Sequence, residues 1–191
     1  MDNSFYVAQG KPHLNPSFSI KNRIGRIFWL FAYNILFRFT PRPMHRWRAL
    51  VLKCFGAKLG KGCHIYPGAI IWAPWNLHCG DHVGIASGAN IYNPCPIFID
   101  SHANISQQSY LCGATHDYDD PDFPLIAKPI WIKRHAWICA RATVLLGVEV
   151  GEGAVLALGS VTSSNLEPWA IYGGIPAKKI KSRKHQETYA Q

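Results

Sequence analysis

His116 holds the strongest chemical promise in this sequence. It closes the segment LCGATH, and Asp117 to Lys128 (DYDDPDFPLIAK) follows directly, with four aspartates and two prolines. A hydroxyl scarcely ionises at neutral pH, whereas an imidazole accepts protons there, so a histidine beside a protruding loop suits general-base work on a hydroxyl nucleophile. The plainer assignment is a surface histidine that caps a turn. Asp117, Asp119, Asp120 and Asp122 could orient the imidazole or accept hydrogen bonds from a polyhydroxylated ligand, or simply form a solvated loop. Asp117, next to the histidine, is the foremost candidate. Tyr92 and Asn93, in the irregular stretch Ala89 to Phe98, are further candidate ligand contacts.

The elements that must position these residues show in a period of six. From 59 to 88 the chain reads LGKGCH, IYPGAI, IWAPWN, LHCGDH, VGIASG; from 99 to 116, IDSHAN, ISQQSY, LCGATH; and from 132 to 161, IKRHAW, ICARAT, VLLGVE, VGEGAV, LALGSV. Thirteen hexads begin with Leu, Ile or Val, and most carry a small residue at the fifth place. Neither a helix nor a simple strand has that period. A three-sided coil of short parallel strands does, with one aliphatic pointing inward per side and about eighteen residues per turn. Ala89–Phe98 and Asp117–Lys128 interrupt the phase, and chemistry concentrates on loops thrust from a rigid scaffold. Residues 59–175 are therefore predicted to form a mainly β, parallel β-helix with loop 117–128, preceded by a helical extension (1–58) and followed by a basic tail (176–191).

The remaining polar residues fit this frame. His64 and His82 lie eighteen residues apart at one hexad position, which predicts a stacked pair in neighbouring turns; with no third ligand in register, no metal site is expected. His135, close to the segment AWICARA, has two readings, an ordinary structural histidine or a cleft-lining one. The six cysteines contain no CxxC and read as small buried hydrophobes in a reducing cytoplasm. Residues 1–62 carry eleven Lys/Arg against one acid, 63–175 four against nine, and 176–191 five against one. An acidic body with basic ends argues against nucleic acid and suits small anions or an anionic membrane surface.

Ile20 to Phe39 follows a helical pattern, with apolar residues at 20, 24, 27, 28, 31 and 35 and Arg23, Arg26 and Arg38 among them. It is too short to span a bilayer, and Thr40-Pro41-Arg42-Pro43 ends it. A second helix is expected over about Met44 to Phe55. Two readings stand: a cap over one end of the coil, or an arginine-rich surface resting on a membrane interface. The polar start, Met1 to Asn15, has no secretory-signal pattern.

The hexads, SYLCGATHDYDDPDFPLI (109–126), AWICARA (136–142), IYGGIPAKKIK (171–181) and the stretch from Thr40 to Leu77 together resemble the hexapeptide-repeat acyltransferases, and within them the colanic-acid-type exopolysaccharide acetyltransferases. The resemblance implies a left-handed β-helix, a homotrimer, acetyl-CoA as donor and a sugar hydroxyl as acceptor. It implies that His116 is the base of a direct ternary-complex transfer; Tyr92, Asn93 and Asp117 then become the candidate sugar contacts. Ala140 would offer a backbone N–H to the pantetheine or thioester, Leu158 and Ser163 would line the pantetheine arm, and Lys178 and Lys181 would attract the CoA phosphates. Trp137 would pack on that arm or merely cover the coil. Two departures from the pattern are Leu158, where relatives carry a small residue, and Ser163-Ser164-Asn165, where they carry Thr-Lys-Asp. The alternatives are an N-acetyl or other short-acyl transferase on an amino or nucleotide sugar, and a binding scaffold without catalysis.

Overall fold

The computed structural model describes residues 5–6 and 16–183. The readings of the remaining N-terminal residues and of the tail beyond 183 lie outside them. Short strands form the three faces of a parallel coil. The first face stacks Lys58–Leu59, Leu77–Cys79, Ile97–Ile99, Ile130–Ile132 and Glu149–Val150. The second stacks His64–Ile65, Gly84–Ile85, Asn104–Ile105, Trp137–Ile138, Val155–Leu156 and Ala170–Gly174. The third stacks Ile70–Ile71, Asn90–Tyr92, Tyr110–Cys112, Thr143–Leu145 and Val161–Thr162. One aliphatic per strand points to the axis: Ile65, Ile85, Ile105 and Ile138 stack in register and are almost wholly buried. Each such side chain contributes roughly 1.5–3 kcal/mol by leaving water.

The turns are not uniformly eighteen residues long. Lys58 pairs with His78 and His64 with Gly84, twenty residues on, whereas Trp137 pairs with Val155, eighteen on. The first two-residue excess sits in the 3-10 turn Pro74–Asn76, ahead of the interruption read from the sequence. Leu77 and Val83 are both fully buried, but it is Cys79 and Ile85, two residues on, that pair with Leu59 and Ile65. The expected His64–His82 pair is thereby displaced. His64 stacks on His45 at 4.8 Å, and His82 stacks on His102 (5.2 Å), which stacks on His135 (5.1 Å). These three histidines occupy the corner between the first and second faces, each with φ between 55° and 64°. Histidine visits that left-handed region more readily than most residues. The ring of His82 lies over Gly62, where a Cβ would approach its Nδ1 to 2.4 Å.

Helix α1 (Ile20–Ala32) runs on through a π-helical turn, Tyr33–Phe37, and α2 is His45–Cys54. Ser19 caps α1 by accepting from the Asn22 N–H. The face of α1 that packs on the coil carries Gly25, against Trp75, and Trp29, whose Nε1 donates to Ile71 O at 2.7 Å. Arg26 lies 4.0 Å over Trp72. The elbow between the helices is pinned by Arg48, fully buried, which donates to the carbonyls of Ile65, Pro41 and Arg42 and to Thr40 Oγ1. At the far end the expected basic tail folds back instead: Ala177–Ser182 pairs antiparallel with Ala170–Gly174 and extends the second face.

Candidate active site

His116 stands outside the coil on a two-stranded arm. Ala114–His116 pairs antiparallel with Leu125–Ala127, His116 directly opposite Leu125, and Phe5–Tyr6 adds a third strand to the other edge. Three of the twelve residues of the expected loop, Leu125–Ala127, are therefore strand, and the turn proper is 117–124. The arm rests on a small second core of Cys95, Ala114, Leu125 and Ala127, with Tyr92 packed against it. Burial pushes the Cys95 thiol up to about 11, so this sulfur acts as a hydrophobe.

The turn is tied to itself. The Asp117 N–H donates to Pro124 O, Asp117 Oδ1 accepts from the Asp119 N–H, and Asp120 Oδ1 accepts from the Asp122 N–H. Phe123 takes the left-handed conformation, φ 46°, which is costly for a bulky side chain. Its carbonyl oxygen lies 2.7 Å from His116 Nδ1. A carbonyl only accepts, so Nδ1 carries a proton, and in the neutral imidazole Nε2 is then the nitrogen with the free lone pair. Phe123 was not among the candidates read from the sequence, and nothing in its residue type signals this role.

The other candidates fall into separate places. Tyr92 lies at the foot of the arm, its carbonyl accepting from the Gly113 N–H and its half-buried ring edge-on to Trp72 at 5.6 Å. Burial, and then nearby Cys112, push its hydroxyl pKa up. Asn93 is fully buried and serves the scaffold: Oδ1 accepts from the Ala73 N–H and Nδ2 donates to Ala73 O. Its amide is used inside the coil, which removes it from the ligand contacts. Asp117 is half-buried beside His116 and keeps a second carboxylate oxygen beyond the one that holds the turn. His135 belongs to the histidine ladder, one corner away from the arm. Burial and then Arg134, whose Nε donates to His135 Nε2, lower its pKa.

Ala140 occupies the corner between the second and third faces. Its carbonyl accepts from the Gly159 N–H, and among the described residues its own N–H has no partner. Leu158, 73% exposed, shares that corner. Along the second face a groove of about 390 Å³ is lined by Tyr66, Ser106, Gln107 and Trp137, with Trp137 Nε1 donating to Ser106 Oγ. Ser163 is exposed at the corner between the third and first faces, the arm's own. Lys178 and Lys181 are exposed on the terminal strand, and neither has an ion-pair partner among the described residues. Burial pushes the Cys139 thiol up, which keeps it protonated. Among the described residues no group of three or more His, Cys, Asp or Glu could hold a metal ion.

Known proteins resemble this chain over most of its length. Over 166 residues, 87% of this chain and 91% of the relative, it is 35% identical to WcaF of Escherichia coli (strain K12), a protein assigned to colanic acid biosynthesis as an acetyltransferase. The chain belongs to the hexapeptide-repeat acetyltransferases. Two solved structures share the fold. A maltose O-acetyltransferase from Clostridium difficile 630 superposes with a TM-score of 0.81 at 17% identity, covering 94% of this chain and 95% of its own. The hexapeptide-repeat acetyltransferase VCA0836 from Vibrio cholerae, solved in complex with acetyl coenzyme A, gives 0.79 at 23% identity over 87% and 91%. No protein-family model matches the chain.

Proposed function

We propose that this acetyltransferase moves acetyl from acetyl-CoA to a hydroxyl of a sugar, a precursor of an exopolysaccharide, in one step with His116 as general base. The observation that carries the proposal is the His116–Phe123 hydrogen bond, which makes Nε2 the accepting nitrogen of the neutral imidazole and so supports a role in taking a hydroxyl proton. WcaF, with its place in colanic acid biosynthesis, supports the acceptor class. The acetyl-CoA held by VCA0836 and the O-acetyl transfer of the maltose enzyme support donor and bond type.

In the step, Nε2 takes the hydroxyl proton as the oxygen bonds to the thioester carbonyl carbon. The carbon–sulfur bond then breaks, and the leaving thiolate takes the proton back from the imidazolium. Atoms balance with no acyl-enzyme, so no cysteine is required. The unpartnered Ala140 N–H suits the thioester oxygen, since a fixed donor stabilises charge developing there. Leu158 and the Trp137 groove suit the pantetheine arm, Lys178 and Lys181 the phosphates, and Tyr92 and Asp117 the sugar.

His116 and Ala140 flank opposite sides of the third face, with Tyr110–Cys112 and Thr143–Leu145 between them. A homotrimer resolves this separation by bringing the His116 corner of one copy against the Ala140 corner of the next, so that three equal sites lie between copies. The enzyme works in the cytoplasm, peripheral to the inner face of the membrane.

The test is acetyl-CoA turnover against a panel of mono- and oligosaccharides, with mass spectrometry of the product before and after mild base. The proposal expects a gain of one acetyl that mild base removes, as an ester requires. A base-stable acetyl on an amino sugar, or no transfer to any saccharide, would overturn it.

A further inference from the structure

Helix α1 has two apolar faces, and the coil covers only one. At 100° per residue along α1, Ile20, Ile24, Ile27, Phe28 and Phe31, continued by Ile35 in the π-helical turn, form a single stripe on the side turned away from Gly25 and Trp29, which face the coil. Every member of the stripe is exposed, Ile27 by 67% and Phe31 by 71%. Trp47 Nε1 donates to Leu36 O and fastens the end of α1 to α2. The exposed side chains of Phe39, Met44, Trp47 and Leu50 continue the surface around that elbow. Single exposed hydrophobes need no explanation, but a contiguous apolar surface over two helices marks a docking site.

Charge identifies the occupant. Between Asp2 and Asp81 the sequence has no acidic residue. Exposed Lys21, Arg23, Arg38, Arg42, Arg46 and Lys53 lie on or beside the two helices. A second copy would set cations against cations, whereas an anionic bilayer offers hydrocarbon for the stripe and phosphates for its flanks. Among the described residues no helix is long and apolar enough to cross a membrane, so α1 would lie in the interface plane.

We infer that the outer faces of α1 and α2 form one membrane-docking surface selective for anionic phospholipid. The inference deepens the peripheral location proposed above and rests on that reading only for which leaflet is met. The bare stripe carries the contact itself, independently of acetyl transfer.

Flotation of the full chain with phosphatidylglycerol/phosphatidylcholine vesicles, beside pure phosphatidylcholine vesicles, tests it at low and high salt. Binding to the anionic vesicles that salt weakens is expected. The exposed pair Ile27→Asp and Phe31→Asp should reduce partition by about tenfold or more, and Arg23→Gln with Arg46→Gln should reduce the preference for anionic lipid. Both variants should keep the wild-type elution volume and the wild-type rate on a soluble acceptor, which separates this outcome from any failure of the catalytic proposal. Full-chain protein that stays unbound at low salt would overturn the inference. So would undiminished binding of the aspartate variant, or a larger assembly that this variant returns to a smaller one, since a second copy would then be the occupant.

Discussion

His116 Nδ1 and the carbonyl oxygen of Phe123 lie 2.7 Å apart across a turn that seven residues span. The bond couples a backbone conformation, φ 46° at a phenylalanine, to the tautomer of a side chain. The imidazole of His116 is therefore only as well placed as the arm that carries both residues.

The arm should be separable from the coil. Leu125, opposite His116, is buried in the small second core, and Leu125→Ala should remove about 2 kcal/mol of packing from the arm. With the base displaced, kcat should fall by up to about 10²-fold while the Michaelis constant for acetyl-CoA holds. Leu125→Met, which keeps the volume, should restore most of the rate. Equal kcat in the alanine and methionine variants would show that the arm does not position the base.

Lys178 and Lys181 should act by screened attraction because both are exposed. Their joint change to alanine should raise the Michaelis constant for acetyl-CoA several-fold at low salt, an effect that shrinks as salt is added, with kcat little altered. Steady-state kinetics at two ionic strengths reads this directly.

Acid should loosen the histidine ladder. Burial and Arg134 lower the His135 pKa, with His102 and Arg183 acting in the same direction and Glu152 in the opposite one. Between that lowered value and the ordinary imidazole pKa of about 6.5, the unfolded chain binds more protons than the folded one. Stability is thus complete above this window and declines as pH falls through it. Thermal unfolding should show a lower Tm near pH 5.5 than near pH 7.5. His135→Asn, which tolerates the left-handed backbone, should narrow the difference.

Copies of the chain should associate in threes, since the base and the Ala140 N–H flank opposite sides of one face. Light scattering at micromolar concentration should report a mass about three times that of the chain. A stable monomer would leave each site without its second half.

The coil was legible because one inward aliphatic per side leaves a six-residue trace, as at Ile132, Ile138, Val144, Val150 and Leu156. The slip at Pro74–Asn76 was not, because Leu77 and Val83 are aliphatic and buried, and only pairing reveals that Cys79 and Ile85 are the partners of Leu59 and Ile65. The periodicity of α1 was legible as a helix, yet the stripe it picked out is the bare one; Gly25 and Trp29 take the coil by shape rather than by pattern. At the site, His116 could be read from its place before a polar loop. Asn93 looked like a ligand contact because an amide suits either water or buried backbone, and burial alone decides between them. Phe123 was invisible, since it acts through a carbonyl that every residue possesses.

The central claim rests on His116, and kcat of a folded His116→Ala variant tests it most directly. General-base catalysis is worth roughly 10²–10⁴ in rate, so kcat on the best saccharide acceptor should fall by about that factor. The Michaelis constant for acetyl-CoA should stay near the wild-type value, and the imidazole-dependent limb of the pH profile should disappear. A variant with wild-type elution volume and melting behaviour that kept more than about a tenth of wild-type kcat would contradict the assignment of His116 as the base.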